Sequence, residues 1–278
     1  MKKYVILLLL LAIVPFYIYM SGQNKKPASK QVFRIGAECN YVPNNWEESK
    51  SSSFNVPIVN REGYYADGYD IQIAKLVASD MDMVLEVKKT AWNDLLPALS
   101  NREIDAIFSS MLDTDERKKV VAFSDTYEVK QTKYAIIIDS VSPYIEAKTL
   151  EDFSGAKIIG EKGAMLDEVI DQIPGVIHLQ PADKIQGMIN AVLEGEADGA
   201  VVDTATGQFY ELTNKNLTLI KFPADGGFKL GYSGVCAGVR KDDSRLLYRI
   251  NIALGKISSS ERQKIMDAAY HRMITSSF

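Results

Sequence analysis

Short apolar strands alternate with amphipathic helices along most of this chain, and that rhythm limits the possible folds more than any other feature. In the first half, the pattern predicts a strand at Val32–Ala37, a helix over residues 70–80 with Asp70 as its N-cap, a helix over 92–100 and a strand over 105–108. Such β–α–β alternation is typical of a mostly parallel sheet covered by helices.

The same rhythm restarts near Thr149, which predicts a second lobe. Strands are expected at residues 157–160, 176–179 and 199–202, with helices over 165–173 and 182–193. The spacing of Ala98 and Asp105 recurs in Ala191 and Asp198, and each aspartate opens a buried strand. We therefore predict two similar α/β lobes, as the length of 278 residues allows.

Two β-rich stretches, residues 127–138 and 226–239, suggest that the chain leaves the first lobe and later returns. Two parallel connectors form a natural hinge, and the cleft between the lobes is the expected pocket. The predicted boundaries are 32–126 plus 234–278 for lobe 1 and 134–227 for lobe 2. The hinge is placed near 127–133 and 228–233.

The N-terminus is predicted to lie outside the fold. A positively charged start is followed by an almost wholly apolar run over residues 4–20, as in an export signal. Residues 1–22 are therefore expected to be a cleaved signal peptide or an N-terminal membrane anchor, and 23–31 a tether. Either reading predicts an exported protein, periplasmic or on the cell surface.

Composition excludes several functional classes. A net charge of −4 offers no basic field for nucleic acid. Neither His178 nor His271 is near a candidate nucleophile or ligand cluster, so no metal or other cofactor is expected. Cys39 and Cys236 are too few for a disulfide scaffold; two buried thiols are favoured, although a single bridge remains open.

Arg117 is the leading ligand-binding candidate. Thr114 is expected to cap a helix, which places Arg117 in the first turn, where a cation opposes the helix dipole. Its position is explained if the guanidinium holds a carboxylate, with Ser109 and Ser110 completing the contact. The alternative is a solvated surface arginine.

Asp203 ends the strand at 199–202 and is the complementary candidate. An arginine in one lobe and an aspartate in the other suit a zwitterion, whose charges would favour closure of the cleft. The alternative for Asp203 is an N-cap of the next helix. Both roles can coexist because a carboxylate has two oxygens.

Further candidates follow the first strand. Tyr41, Trp46 and Trp92 offer aromatic walls for a side-chain pocket, and Glu38 is placed to accept a cationic group. A core position is the alternative for Trp92, and simple exposure is the alternative for Glu38.

Eight segments in order resemble the bacterial extracellular solute-binding proteins of family 3, the amino-acid receptors of ABC importers. They are IGAECNYVPNNW, DGYDIQIAKLVA, WNDLLPAL, IDAIFSSM, TDERKKVVAFSDTY, LEDFSGAKIIGEKG, LEGEADGAVVD and GVRKDD, which together extend from about Val32 to near the C-terminus. The resemblance implies a two-lobe, periplasmic-binding-protein-like (type II) α/β fold with two crossover strands as hinge. It also implies a monomer that binds an L-amino acid and delivers it to a membrane permease.

The resemblance assigns roles to individual residues. Arg117 would clamp the ligand α-carboxylate and Asp203 its α-ammonium, while Tyr41 and Trp92 line the pocket. Some members use an acid at the position of Glu38 for basic side chains.

Two positions depart from the family pattern. Leu112 stands where Ser or Thr is usual, and Ala164 and Met165 replace a hydroxyl pair. Backbone N–H groups at the start of the helix near Ala164 would then supply the carboxylate contacts. The departures count against a small polar amino acid, and Glu38 together with the tyrosine-rich stretch Tyr64–Tyr69 favours a basic or bulky one.

Two alternatives come from other functional classes. A dehydratase of prephenate-like acids on the same fold would need a general acid, for which Glu38 and Glu161 are the candidates. A sensory receptor component is not distinguished from a transport protein by the sequence.

Overall fold

A computed structural model describes residues 30–127, 133–223, 226–229 and 234–276. Fourteen strands are present in these ranges: β1 Val32–Ala37, β2 Asn40–Tyr41, β3 Asn45–Glu48, β4 Val56–Pro57, β5 Tyr65–Asp67, β6 Val84–Lys89, β7 Ala106–Ile107, β8 Ala122–Thr126, β9 Tyr134–Asp139, β10 Lys157–Ile159, β11 Ile177–His178, β12 Gly199–Asp203, β13 Leu217–Ile220 and β14 Cys236–Val239. Eight α-helices accompany them there: α1 Tyr69–Asp80, α2 Leu95–Ser100, α3 Asp115–Lys118, α4 Met165–Glu168, α5 Ile185–Leu193, α6 Thr204–Thr213, α7 Ser244–Gly255 and α8 Ser259–Ser276.

The first lobe is built on a five-stranded sheet in the order β6-β1-β7-β14-β8. Strands β6, β1 and β7 are parallel, whereas β14 returns late in the sequence and pairs antiparallel with both β7 and β8. A smaller antiparallel sheet, β2-β3-β5-β4, is inserted after β1. Strand β1 lies between β6 and β7, and its apolar residues Phe33 and Ile35 are fully buried.

The second lobe repeats this plan in the order β11-β10-β12-β9-β13. Strands β11, β10 and β12 are parallel, and β9 pairs antiparallel with both β12 and β13. Each lobe has its own apolar core, as two similar α/β units require. The predicted two-lobe α/β fold is confirmed.

Several element bounds differ from the sequence prediction. The helix expected over 92–100 is a 3-10 turn, Trp92–Asp94, followed by α2, and that expected over 165–173 is α4 followed by a 3-10 turn, Val169–Gln172. The expected N-cap at Asp70 is wrong, because Gly68 occupies the cap position and Asp70 lies inside α1. The Asp70 carboxylate is buried instead, accepting hydrogen bonds from Asn45, Ser110 and Tyr127.

The two cysteines are buried free thiols, as the favoured reading of the sequence predicted. Burial raises the pKa of Cys39 to about 12, so its thiol is protonated at neutral pH.

Other predictions fall outside the described residues. These are the signal or anchor at 1–22, all but the last two residues of the tether at 23–31, and most of both hinge segments, 127–133 and 228–233. Among the residues that are described, no helix combines the length and apolar character needed to cross a membrane.

Candidate functional site

A small cavity, with a volume of about 40 Å³, lies between the two lobes. Its walls combine two carboxylates, one guanidinium, aromatic rings and apolar side chains. The lining residues are Glu38, Tyr41, Trp92, Ser110, Leu112, Arg117, Tyr134, Glu161, Ala164, Met165 and Leu166. Eight of the predicted candidates thus meet at one place: Glu38, Tyr41, Trp92, Ser110, Leu112, Arg117, Ala164 and Met165.

Arg117 reaches the cavity from the short helix α3. Thr114 caps this helix and accepts a hydrogen bond from the Arg117 N–H, as the sequence predicted. The guanidinium donates to the carbonyl oxygen of Leu112 at 3.0 Å and to that of Gly163 at 3.3 Å. Because both acceptors are formally neutral, these bonds leave the positive charge of Arg117 available to an anion. Burial lowers the pKa of Arg117, which reflects the cost of holding this charge away from water.

Gly163 is the point where the second lobe contacts the first. Its carbonyl oxygen also accepts a 3.0 Å hydrogen bond from the indole Nε1 of Trp92, and the Arg117 guanidinium lies 5.1 Å from the Trp92 ring centroid. Gly163 has a φ of +71°, and a Cβ there would lie 2.6 Å from Oδ1 of Asn93. The positive φ favours glycine at this position, and a larger residue would also require the Asn93 side chain to move.

Asp203 combines the two roles that the sequence left open. Its Oδ1 accepts from the backbone N–H groups of Ala205 and Thr206 and so caps α6. Its Oδ2 accepts a 2.6 Å hydrogen bond from the hydroxyl of Tyr41, a residue that lines the cavity. Asp203 itself is not among the described residues that line the cavity; it stands behind Tyr41. Burial and the Asp203 carboxylate raise the pKa of Tyr41 well above its usual value, so the phenol remains protonated and donates.

Two carboxylates face the cavity from opposite lobes. Glu38 directly follows β1 and is 4% exposed, while Glu161 follows β10 and is 5% exposed. Burial raises the pKa of Glu161 to about 9, and the nearby charge of Glu38 adds to that shift. Burial also raises the pKa of Glu38, against an opposing hydrogen bond from Asn40. Burial thus favours the protonated form of both carboxylic acids.

Ser110, Ser109 and Trp46 were all predicted to contact the ligand, but they occupy three different positions relative to the cavity. Ser110 lines the cavity, but its hydroxyl donates to Asp70. Ser109 is fully buried behind it, where its Oγ accepts from the N–H of Glu38, and it is not one of the described lining residues. Trp46 is not among the described lining residues: its ring packs in the core of the first lobe, and its Nε1 donates to Glu48, two residues further along the same strand.

Sequence reasoning did not predict Tyr134 or Leu166, and it considered Glu161 only as a general acid of the alternative enzyme, although all three line the cavity. A signal for Glu161 was present, since it follows β10 as Glu38 follows β1, and the carboxyl ends of parallel strands in the two lobes face one cleft. Tyr134 opens β9 and carried no comparable signal. Over the described ranges, no cluster of three or more histidine, cysteine or acidic side chains could hold a metal ion.

The family model for bacterial extracellular solute-binding proteins, family 3, matches residues 51–272. The chain belongs to this family. The match begins after β3, so it leaves out β1, Glu38 and Tyr41, but it includes the other nine residues that line the cavity.

Curated relatives of this solute-binding protein cover most of its length. It is 31% identical over 202 residues to the ABC transporter arginine-binding protein 1 of Escherichia coli, covering 72% of this chain and 80% of that protein. It is 25% identical over 264 residues to the arginine-binding extracellular protein ArtP of Bacillus subtilis, covering 94% of each.

The fold is also that of solved family structures. The arginine-bound form of truncated ArgBP from T. maritima superposes with a TM-score of 0.66 at 26% identity, covering 82% of this chain and 96% of the other. The two-lobe arrangement described above is therefore the type II periplasmic-binding fold.

Proposed function

We propose that this protein is an exported, non-catalytic receptor that captures an L-amino acid between its lobes and delivers it to the permease of an ABC importer. The supporting observation is that Arg117 and Tyr41 line one cavity, with the Asp203 carboxylate hydrogen-bonded directly behind Tyr41. These groups come from different lobes and carry opposite charges, which match the two ends of a zwitterion.

In this proposal Arg117 binds the α-carboxylate. A guanidinium presents paired donors in the geometry of a carboxylate, and its present partners are neutral carbonyl oxygens. Asp203 binds the α-ammonium through Oδ2, with the Tyr41 hydroxyl beside it. Since Oδ1 of Asp203 is already held by α6, the aspartate is oriented before a ligand arrives.

The side chain of the amino acid is proposed to be basic. Glu38 is a buried acid at the end of β1 and lines the cavity, where a cationic group would neutralise it. The names of the relatives, which are arginine-binding proteins, point to the same ligand class.

The remaining assignments complete the proposal. Lobe 1 comprises residues 32–126 plus 234–278 and lobe 2 residues 134–227, with the hinge near 127–133 and 228–233. Closure about this hinge would present the loaded form to the permease. Residues 1–22 direct export and are either cleaved or retained as an anchor, and 23–31 form a tether.

Titration calorimetry of the purified full-length chain with each of the twenty L-amino acids tests this function. We expect one or a few basic amino acids to bind with micromolar affinity or better, and their D-enantiomers to bind far more weakly. Absence of binding by every L-amino acid would refute the proposal. Turnover of prephenate or arogenate by the same preparation would instead support an enzyme.

A further inference from the structure

Glu38 and Glu161 place two nearly buried carboxylates at the same cavity, one from each lobe. They are close enough for the charge of Glu38 to act on Glu161. Bringing two like charges together away from water is unfavourable, so this arrangement calls for a positive partner or a shared proton.

The two carboxylates are only partly satisfied by the protein. The backbone of Ile185, the first residue of α5, lies close enough to the Glu161 carboxylate to favour its charged form. No described group donates to its Oε1, which is buried. Glu38 receives a side-chain hydrogen bond from Asn40. A buried carboxylate oxygen without a donor at a ligand cavity marks a place where a ligand donor fits.

The surrounding charged side chains do not remove the need of the Glu38–Glu161 pair for a positive partner. Lys89 and Lys184 act on Glu38 from a distance, and the Lys89 ammonium already pairs with Glu47 at 2.9 Å. The other titratable neighbours that sense Glu161 are Tyr41 and Tyr210, which are neutral at physiological pH.

We propose that Glu161 is a second specificity-determining residue, which together with Glu38 clamps a guanidinium-type cationic side chain between the two lobes. This inference rests on the proposed function. A guanidinium has five donors around a planar edge and can bond to carboxylates on two sides at once. It would also remove the repulsion that opposes approach of the two lobes, so that recognition of the side chain and closure are one event.

Binding should release a proton. Because burial favours the protonated form of these acids, the arriving guanidinium would displace a proton from the pair to the solvent as both acids become ionised. Affinity for the cation should consequently rise with pH until the pair is fully ionised.

L-Citrulline provides the matched neutral ligand, because it keeps the α-groups and shape of L-arginine but replaces the guanidinium with an uncharged ureido group. For the wild-type chain we expect arginine to bind at least roughly 100-fold more tightly than citrulline. Glu161→Gln should reduce this ratio at least roughly 10-fold, mainly by weakening arginine binding. Glu194→Gln, at the exposed C-terminal end of α5, is the control and should leave the ratio unchanged.

Proton release gives a readout that a purely structural role for Glu161 would not affect. Calorimetry of arginine binding in buffers of different ionisation enthalpy should show release of a proton by the wild-type chain and a smaller release by Glu161→Gln. If that variant does not fold, Glu38→Gln and the proton count of the wild-type chain still test the clamp.

The possible outcomes separate the two proposals. Equal affinity for arginine and citrulline, or an unchanged ratio in Glu161→Gln, would overturn the clamp while amino-acid capture stands. Failure of every L-amino acid to bind would overturn the proposed function itself.

Discussion

The Tyr41 hydroxyl donates a 2.6 Å hydrogen bond to Oδ2 of Asp203 and thereby joins the small sheet of the first lobe to the end of β12 in the second. A second bond from Thr206, at the start of α6, to the carbonyl oxygen of Val42 reinforces this junction. The Asp203 carboxylate thus has two roles: Oδ1 caps α6, and Oδ2 accepts a hydrogen bond from Tyr41, which lines the cavity.

The variant Asp203→Asn tests the capping role and the ligand-binding role of Asp203 separately. Asparagine is as good an N-cap as aspartate, so we expect the free energy of unfolding to change by less than about 1 kcal/mol. Loss of the charge facing an α-ammonium should weaken amino-acid binding by about 2–4 kcal/mol. Calorimetry and urea unfolding provide the two measurements. Asp243→Asn removes the same charge from the N-cap of α7 and should leave affinity unchanged.

Arg117→Lys tests the carboxylate clamp while retaining a positive charge. Lysine lacks the planar fork, and its ammonium cannot donate to Leu112 and Gly163 while holding a carboxylate in two-point geometry. We expect affinity to fall by about 2–3 kcal/mol, measured by calorimetry. Arg102→Lys alters an exposed ion pair with Asp242 and serves as the control. Equal affinities of both variants for the ligand would contradict this role for Arg117.

The sequence was sufficient for the lobes and for much of the cavity wall, because strand ends and helix starts are local features. Arg117 and Glu38 were found by their position next to such an end. The errors came from long-range packing. Trp46 is adjacent to cavity residues in sequence, yet its side chain points into the core and bonds to Glu48.

Asp70 shows the same limit. Its position at the start of a helix predicted a cap, but three donors from other elements hold its carboxylate in the core. No local pattern shows that Asn45, Ser110 and Tyr127 converge there. The contacts of Gly163 with Trp92 and Arg117 are equally invisible in sequence, since they depend on how the lobes meet.

The two tryptophans should respond differently to conservative change. Trp92→Phe removes the indole donor to Gly163 and should weaken ligand binding by about 1 kcal/mol, with little effect on the free energy of unfolding. Trp46→Phe leaves space in the core and removes the bond to Glu48, so it should lower the free energy of unfolding by about 1–3 kcal/mol without changing affinity. Calorimetry and urea unfolding of both variants check the contrast. If Trp46→Phe instead weakened ligand binding and Trp92→Phe lowered the free energy of unfolding, Trp46 would be a ligand-binding residue.

The raised pKa of Glu161 predicts how the free energy of unfolding of the ligand-free protein depends on pH. Its pKa is raised to about 9 in the folded protein from an ordinary value of 4.5, so between these values the folded state binds a proton that the unfolded state does not. The contribution of Glu161 to stability is therefore complete below about pH 4.5 and is lost as the pH rises through about 9. Relative to Glu161→Gln, the wild-type free energy of unfolding should fall with pH by up to about 1.4 kcal/mol per pH unit over this window. Urea unfolding at about pH 5, 7 and 9 measures the slope. Glu194→Gln should follow the wild type, and parallel profiles for wild type and Glu161→Gln would mean that Glu161 is ionised throughout.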